Sequence, residues 1–223
     1  MKFKTKLTKI YDGIYLCEIK NVYDLAMTFC RVQEFYESPF EEIRNKDFNM
    51  MEFQRIYSLK GTGTFTYPVD WAGFNIPSSI LHKFYKGSWV ETDWNMYDTA
   101  FKRVVMQIKD KEPFYIIGAM ENDKNTINHE LCHAFYNLKE SYKRGVDKLI
   151  NNIPKRIFNK MRKALKDVGY CNKVIKDEIQ AYLSSSDCSF FDGYVDWQEN
   201  QKMGKIFNKH FNKHIDINIK NEL

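Results

Sequence analysis

The sequence of 223 residues predicts an α+β fold in a single domain. Short apolar runs of strand length occur in two places, and longer segments space their apolar residues by three and four, as amphipathic helices do. The chain contains no internal repeat, low-complexity tract or flexible linker, which favours one domain. A domain boundary near Asp110 is the main alternative.

The predicted strands are residues 14–19 and residues 113–119, the second being either buried or at a sheet edge. Prolines and turn residues delimit the helices. In order, the helices are expected at residues 22–36, 48–59, 78–85 with Ser78 as the N-cap, 96–108, 126–139, two helices within 144–168 separated near Pro154, 173–183 and 202–211.

The composition excludes several classes of protein. Hydrophobic residues make up 43% of the chain and charged residues 28%, which is enough for a packed core and argues against wholesale disorder. The longest apolar runs are far shorter than the ~20 residues of a membrane-spanning helix, and the basic N-terminus lacks the apolar region of a signal peptide. Five scattered cysteines without a CxxC pair are typical of free thiols in a reducing compartment, so we expect a cytoplasmic protein.

The net charge of +5 is modest, but it is distributed unevenly. Residues 143–166 contain nine basic side chains and a single acidic one, Asp147. Apolar residues alternate with them at helical spacing, so the cations are expected on the outer face of amphipathic helices. A solvated helix face is the favoured interpretation, and a surface for nucleic acid or an acidic partner is the alternative.

One motif in the sequence is typical of metal-dependent hydrolysis. Residues 128–136 read NHELCHAFY and contain the pattern H-E-x-x-H. Residues four apart lie on one face of a helix, so His129 and His133 can bind one Zn²⁺. Zinc lowers the pKa of a bound water to about 7, and Glu130, one residue after the first ligand, is expected to take the proton from that water.

The surroundings of the motif support this interpretation. An apolar stripe on the same helix is expected to anchor it in the core and to turn the two histidines toward a different face. The strand predicted at residues 113–119 is expected to lie along an active-site cleft and to pair with an extended peptide. The stripe consists of Ile127, Leu131, Ala134, Phe135 and Leu138.

The motif resembles that of the zincin metallopeptidases. The metzincin branch needs a Gly and a His where this chain has Tyr136 and Lys139, which excludes that branch. In the gluzincin branch the third ligand is a Glu on a later helix, often followed three residues on by Ala, and Glu178 and Ala181 have that relation. The resemblance therefore implies Glu178 as the third ligand. Asp177 is the rival, because an aspzincin-like site uses an Asp as its third ligand. If Glu178 is the ligand, replacement of Asp177 by Ala is not expected to weaken metal retention.

A tyrosine is expected to assist the reaction. Tyr182 lies four residues after Glu178, on the same helix face, and is expected to donate a hydrogen bond to a developing oxyanion. Tyr170 and Tyr136 are the competing candidates.

A second string, GAMEN at residues 118–122, is similar to one in gluzincin aminopeptidases, where its Glu holds the free amine of the substrate. Here Glu121 lies only eight residues before His129. The string is therefore interpreted as a strand end followed by a loop, and recognition of an amine by Glu121 is kept as a secondary hypothesis.

The resemblance covers about residues 113–183. It implies a zincin-like fold with a small mixed sheet. Residues 111–223 are expected to hold the H-E-x-x-H helix and a helical C-terminal part, and residues 1–110 to form an α+β part of unknown role. The whole chain resembles small zincin-like proteins of phages, other viruses or bacteria, so a viral member would work in the host cytoplasm.

The function implied is that of a zinc-dependent metallopeptidase with a peptide or protein substrate and no membrane partner. The rival is a non-catalytic binding protein on a zincin scaffold, which uses residues 143–166 to hold nucleic acid or an acidic partner. Hydrolysis of an amide other than a peptide is a third possibility, because the motif is common to both reactions.

Overall fold

The computed structural model describes residues 4–185 and 187–221, without the side chains of residues 90, 91 and 216–221. The described part combines helices with a four-stranded sheet, which confirms the predicted α+β class. The chain divides into two compact units, residues 1–127 and residues 128–223. All described strands lie in the first unit, and the described part of the second is helical.

The sheet of the first unit consists of β1 (Thr5–Tyr11), β2 (Ile14–Ile19), β3 (Gly73–Pro77) and β4 (Tyr115–Met120). The strand order is β1-β2-β4-β3, with β2 and β4 parallel and the other two pairs antiparallel, so the sheet is mixed. The strands β2 and β4 were predicted. The strands β1 and β3 were not, because β1 is half polar and exposed and β3 carries a Gly and a Pro.

The strand β4 lies inside the sheet. It pairs with β2 along one edge and with β3 along the other. Because its backbone groups are already paired on both sides, the expectation that this strand binds an extended peptide is wrong.

Packing explains why the first residue of the GAMEN string, Gly118, is a glycine. A Cβ on Gly118 would stand 2.6 Å from the ring of Phe29, and that buried ring stacks on Phe74 of β3. After β4 ends at Met120, Asn122 adopts a φ of 65° and turns the chain, which confirms the strand end followed by a loop. Glu121 is exposed in that turn, and its role in binding an amine stays a prediction.

The helices of the first unit follow the apolar periodicity closely, and short helical turns are added between them. Ser78 is a correction: its Oγ accepts the Phe114 N–H at 3.1 Å instead of capping the helix, so it ties that helical turn to the chain before β4. The helices are α1 (Val22–Glu37), α2 (Met50–Lys60), α3 (Tyr67–Asp70), α4 (Leu81–Phe84, after a 3-10 turn at Ser78–Ile80), α5 (Trp89–Thr92) and α6 (Met96–Gln107).

The core of the first unit contains a buried cation, Arg31 of α1. Its guanidinium is held by the carboxylates of Asp98 and Asp93, each at 3.0 Å, and by the carbonyl oxygens of Asp93 and Phe48. The same Asp98 accepts the Asn95 N–H in the capping box of α6. A charge this deeply buried is stable only when it is paired in this way.

The second unit is built from helices that pack their apolar faces together. The nine basic residues of 143–166 are all exposed, as expected for an outer helix face. None of the described helices is both long and apolar enough to cross a membrane. The helices are α7 (Lys124–Leu138, which starts in the first unit), α8 (Glu140–Asn151), α9 (Lys155–Asp167), α10 (Ile175–Ser184) and α11 (Trp197–Asn221), with a 3-10 turn at Cys188–Phe191.

Candidate metal centre

The helix α7 carries both histidines of the H-E-x-x-H motif. Its first turn is closed by Asp123, whose carboxylate accepts the backbone N–H and the hydroxyl of Thr126 at 3.2 and 2.7 Å. His129 and His133 then follow one turn apart, and their Nε2 atoms are 3.3 Å apart. The local sequence is therefore sufficient to bring these two rings together.

The part of α7 that contains the motif is buried more completely than expected from the apolar stripe. Every residue from Glu130 to Phe135 is buried, whereas Ile127 and Leu138 of the predicted stripe are only half-buried. His133 is 3% exposed and Glu130 6%. The polar residues of the motif thus lie inside the helical unit, which lowers the local dielectric and strengthens their electrostatic interactions.

The third predicted ligand comes from α10. Asp177 and Glu178 lie in its first turn, where the positive end of the helix dipole stabilises carboxylates. Glu178 Oε2 is 3.6 Å from His129 Nε2, and Glu178 Oε1 is 3.7 Å from His133 Nε2. Helix packing thus joins residues that are far apart in the sequence.

These separations suit one tetrahedral metal ion. Zinc bonds of about 2.0–2.1 Å at tetrahedral angles place neighbouring ligand atoms roughly 3.3–3.4 Å apart. One ligand atom from each of His129, His133 and Glu178 lies within 4.8 Å of the other two, so small side-chain movements would complete the coordination. Three protein ligands leave the fourth position for water or substrate, as catalytic zinc sites do.

The orphaned oxygen of Glu178 also fits a metal. Its Oε2 is buried and has no hydrogen-bond partner in the described structure. A buried carboxylate oxygen without a donor is costly, and a divalent cation between it and the two imidazoles would remove that cost. The donor set of two nitrogens and one oxygen is one that zinc accepts.

Asp177 has a different position from the one expected for a rival ligand. Its Oδ1 lies 3.0 Å from Nδ1 of His133, on the side of the ring away from the other ligands. An N–H donated from Nδ1 fixes the tautomer in which Nε2 carries the lone pair for the metal. The expectation that replacing Asp177 leaves metal retention intact is therefore revised, because loss of such a partner typically lowers metal affinity about 10–100-fold.

The protonation of His133 reflects the same carboxylates. Burial lowers its pKa, but the negative charges of Asp177 and Glu178 raise it more, so the pKa lies well above its usual value. Metal binding at Nε2 therefore competes with a proton.

Of the three candidate tyrosines, two lie at the site. The ring of Tyr182 lies 4.6 Å from that of His129, and its hydroxyl is 3.3 Å from the hydroxyl of Tyr170. Burial raises the pKa of Tyr182 to about 12, which keeps the hydroxyl protonated as a donor. Tyr136 instead donates to Asp147 at 2.8 Å, so the structure does not bring its hydroxyl to the ligands.

Tyr170 reaches this position through a glycine turn at the end of α9. Gly169, at a φ of 103°, donates to the carbonyl of Lys166, and Tyr170 donates to the carbonyl of Leu165. This pair of bonds is the Schellman motif, which needs a left-handed residue after the helix. In the sequence KDVGY, the glycine predicts this turn at the end of α9 and therefore the position of Tyr170.

The sequence interpretation missed the residues behind the ligands. Gln180 and Tyr142 are completely buried and connect Asp177 to the helical core. One feature of the sequence indicates this role for Gln180: its amide lies three residues after Asp177 on a predicted helix, and its neighbours in the sequence are apolar.

Comparison of the chain with models of protein families, with curated proteins and with solved structures finds no match.

Proposed function

We propose that this protein is a zincin-like, zinc-dependent hydrolase of peptide bonds. The observation that carries the proposal is the convergence of His129, His133 and Glu178, with ligand atoms within 4.8 Å of one another. The H-E-x-x-H spacing adds a carboxylate beside that cluster, which a purely structural metal site does not require.

Each residue has a task in this reaction. A bound zinc ion would polarise the scissile carbonyl and lower the pKa of an attacking water. Glu130 accepts the proton of that water and passes it to the leaving amine. Tyr182 donates its hydroxyl proton in a hydrogen bond to the oxygen that becomes negative, and Asp177 holds His133 in the ligating tautomer.

The test combines metal analysis with peptide cleavage. The wild type is expected to bind one zinc per chain and to cleave members of a broad peptide library. Glu130→Gln should keep the zinc and lose about 10²–10⁴-fold in turnover, the usual contribution of general acid–base catalysis. Glu178→Gln should lose zinc affinity.

The matched control is Glu140→Gln, which removes an exposed acid at the start of α8. It should bind zinc and cleave peptides like the wild type. A wild type that binds no zinc, or a Glu130→Gln variant with full activity, would refute the proposal.

A second candidate function rests on the charge of the second unit. Residues 128–223 contain 17 basic and 12 acidic residues, whereas residues 1–127 contain 17 of each, so the whole net charge belongs to the helical unit. Its exposed cations within 143–166 suit a polyanion such as nucleic acid, or an acidic protein. Binding of a DNA or RNA oligonucleotide that weakens steeply with salt and is indifferent to a chelator would support this function.

A further inference from the structure

The amide of Gln180 belongs to a chain of hydrogen bonds that leads from the candidate metal centre into the helical core. Its Nε2 donates to Asp177 Oδ1 at 2.9 Å, and its Oε1 accepts from the Tyr142 hydroxyl at 2.8 Å. The same oxygen of Asp177 lies 3.0 Å from His133 Nδ1. One carboxylate oxygen thus receives donors from both Gln180 and His133.

The partners determine which way the amide points. An ionised carboxylate only accepts, so the NH₂ group of Gln180 must face Asp177, and its oxygen is then left to face Tyr142. The hydroxyl of Tyr142 also lies 3.3 Å from Ser184 Oγ, which restricts it further. Each link in the chain therefore supports the next.

Burial makes this chain of hydrogen bonds rigid. Gln180, Tyr142 and Ser184 are completely buried, so water does not compete for these hydrogen bonds. The chain joins three helices, because Tyr142 lies on α8, Gln180 and Asp177 on α10, and His133 on α7. Polar groups that are satisfied inside a core fix the geometry of their neighbours.

We infer that Gln180 is a positioning residue for the metal centre: it holds the carboxylate of Asp177 in place for His133, and Tyr142 orients its amide. The inference rests on the proposed metal site. It adds a layer of support behind Asp177, which connects the affinity for the metal to the packing of α8 against α10.

The experiment measures zinc affinity by competition with a chelator, together with the visible absorption of the cobalt-substituted protein. Gln180→Leu should lower zinc affinity by up to about 10-fold, the lower end of the loss expected when the direct partner of a ligating histidine is removed, and should change the cobalt spectrum. Tyr142→Phe should cause a smaller loss in the same direction. The double variant should bind no more weakly than Gln180→Leu alone, since both residues act through one chain.

The matched control is Asn200→Leu. Asn200 is also a completely buried amide of the second unit, and it donates to the Cys188 carbonyl and to Asp192 instead of to a residue next to a ligand. Its replacement should lower stability while leaving zinc affinity and the cobalt spectrum of the folded protein unchanged. This separates positioning from a general role in the core.

The outcomes distinguish the inference from the proposed function. Wild-type zinc affinity and an unchanged cobalt spectrum in Gln180→Leu would overturn the inference and leave the zinc site standing. A wild type that binds no zinc would overturn both. If Gln180→Leu does not fold, Gln180→Met provides the test, because it keeps the length of the side chain but removes the amide; wild-type affinity in that variant would also overturn the inference.

Discussion

At the scale of single residues, Asp177 and Glu178 show how neighbouring carboxylates acquire different tasks. Consecutive residues of a helix point about 100° apart, so the two cannot face the same point. Glu178 lies beside the Nε2 atoms of both histidines, and Asp177 lies beside Nδ1 of His133. One is placed to bind a metal and the other to support a ligand of that metal.

Tyr182 provides a test at this scale. Tyr182→Phe removes the proposed donor to the oxyanion and should reduce kcat about 10²–10³-fold, the usual cost of losing one such donor, with little change in KM or zinc content. Steady-state kinetics with a peptide substrate measures both constants. Tyr136→Phe is the control, because that hydroxyl is bound to Asp147. Equal losses in the two variants would contradict the role of Tyr182.

A second residue, Glu34 of α1, contributes to the pH dependence of stability. Burial raises its pKa from 4.5 to about 7, although the nearby hydroxyls of Ser38 and Tyr67 lower it in part. The folded state therefore holds a proton that the unfolded state releases at lower pH. Stability from this group is highest below pH 4.5, falls as the pH rises to 7, and stays low above that.

We expect Glu34→Gln to remove this dependence. Each pH unit between the two pKa values corresponds to about 1.4 kcal/mol, so the variant should exceed the wild type by roughly 3 kcal/mol at pH 8 and match it near pH 4.5. Urea unfolding at several pH values measures the difference. Glu41→Gln, at an exposed position, should show no such trend; a constant difference for Glu34→Gln would disprove the assignment.

At the scale of elements, contacts between helices override local preferences. Gly145 lies inside α8, where alanine would normally stabilise the helix by about 1 kcal/mol. A Cβ at this position would stand only 2.2 Å from the ring of His210 on α11. That ring is stacked on Tyr142, and its Nε2 is 3.1 Å from the Tyr142 carbonyl oxygen, so it has little freedom to move.

Gly145→Ala should therefore destabilise the protein by about 1–3 kcal/mol, the usual cost of overpacking. In a His210→Ala background the clash is absent, and the same substitution should become neutral or stabilising. Chemical denaturation of the four proteins in this cycle gives the coupling energy. A stabilising effect of Gly145→Ala in the wild-type background would contradict the close contact.

The predicted bounds of helices and strands were most accurate where local periodicity and local hydrogen bonds determine them. The bounds of β2, α1 and α6 agree with the predicted bounds to within one residue. The helix α11 is much longer than predicted. It starts at Trp197, just after Asp196, whose carboxylate accepts two backbone N–H groups of the first turn.

The burial of Arg31 cannot be predicted from the local sequence pattern. Arg31 interrupts the apolar run of α1 and looks like a surface residue, yet it is 1% exposed. Its burial depends on Asp93 and Asp98, which follow more than sixty residues later. A local pattern cannot contain that information.

At the scale of the whole molecule, metal binding should stabilise folding, because a ligand that binds only the folded state shifts the unfolding equilibrium. Excess zinc should raise the melting temperature of the wild type by several degrees, since a 100-fold excess over Kd adds about 2.7 kcal/mol. A chelator should reverse the effect. Glu178→Gln should respond much less, and an equal response would contradict the ligand set.

The same experiment tests whether the two units unfold as one domain. Trp71, Trp89 and Trp94 lie in the first unit, and Trp197 of the second is largely exposed, so tryptophan fluorescence reports mainly on the first. For the single domain predicted from the sequence, zinc should raise the transition seen by fluorescence as much as the one seen by circular dichroism. A zinc effect limited to circular dichroism would indicate independent units.

The sequence by itself determined the α+β class, most helices and the convergence of His129 and His133. These follow from helical spacing, capping and hydrogen bonds between near neighbours in the chain. The resemblance to the gluzincin motif, and not spacing, pointed to Glu178 as the third ligand. Only the tertiary structure decided that Glu178 meets the histidines, that Asp177 and Gln180 stand behind His133, and that β4 is enclosed by its neighbours. The physical reason is that these contacts depend on how distant segments pack, and burial then assigns each polar group its partner.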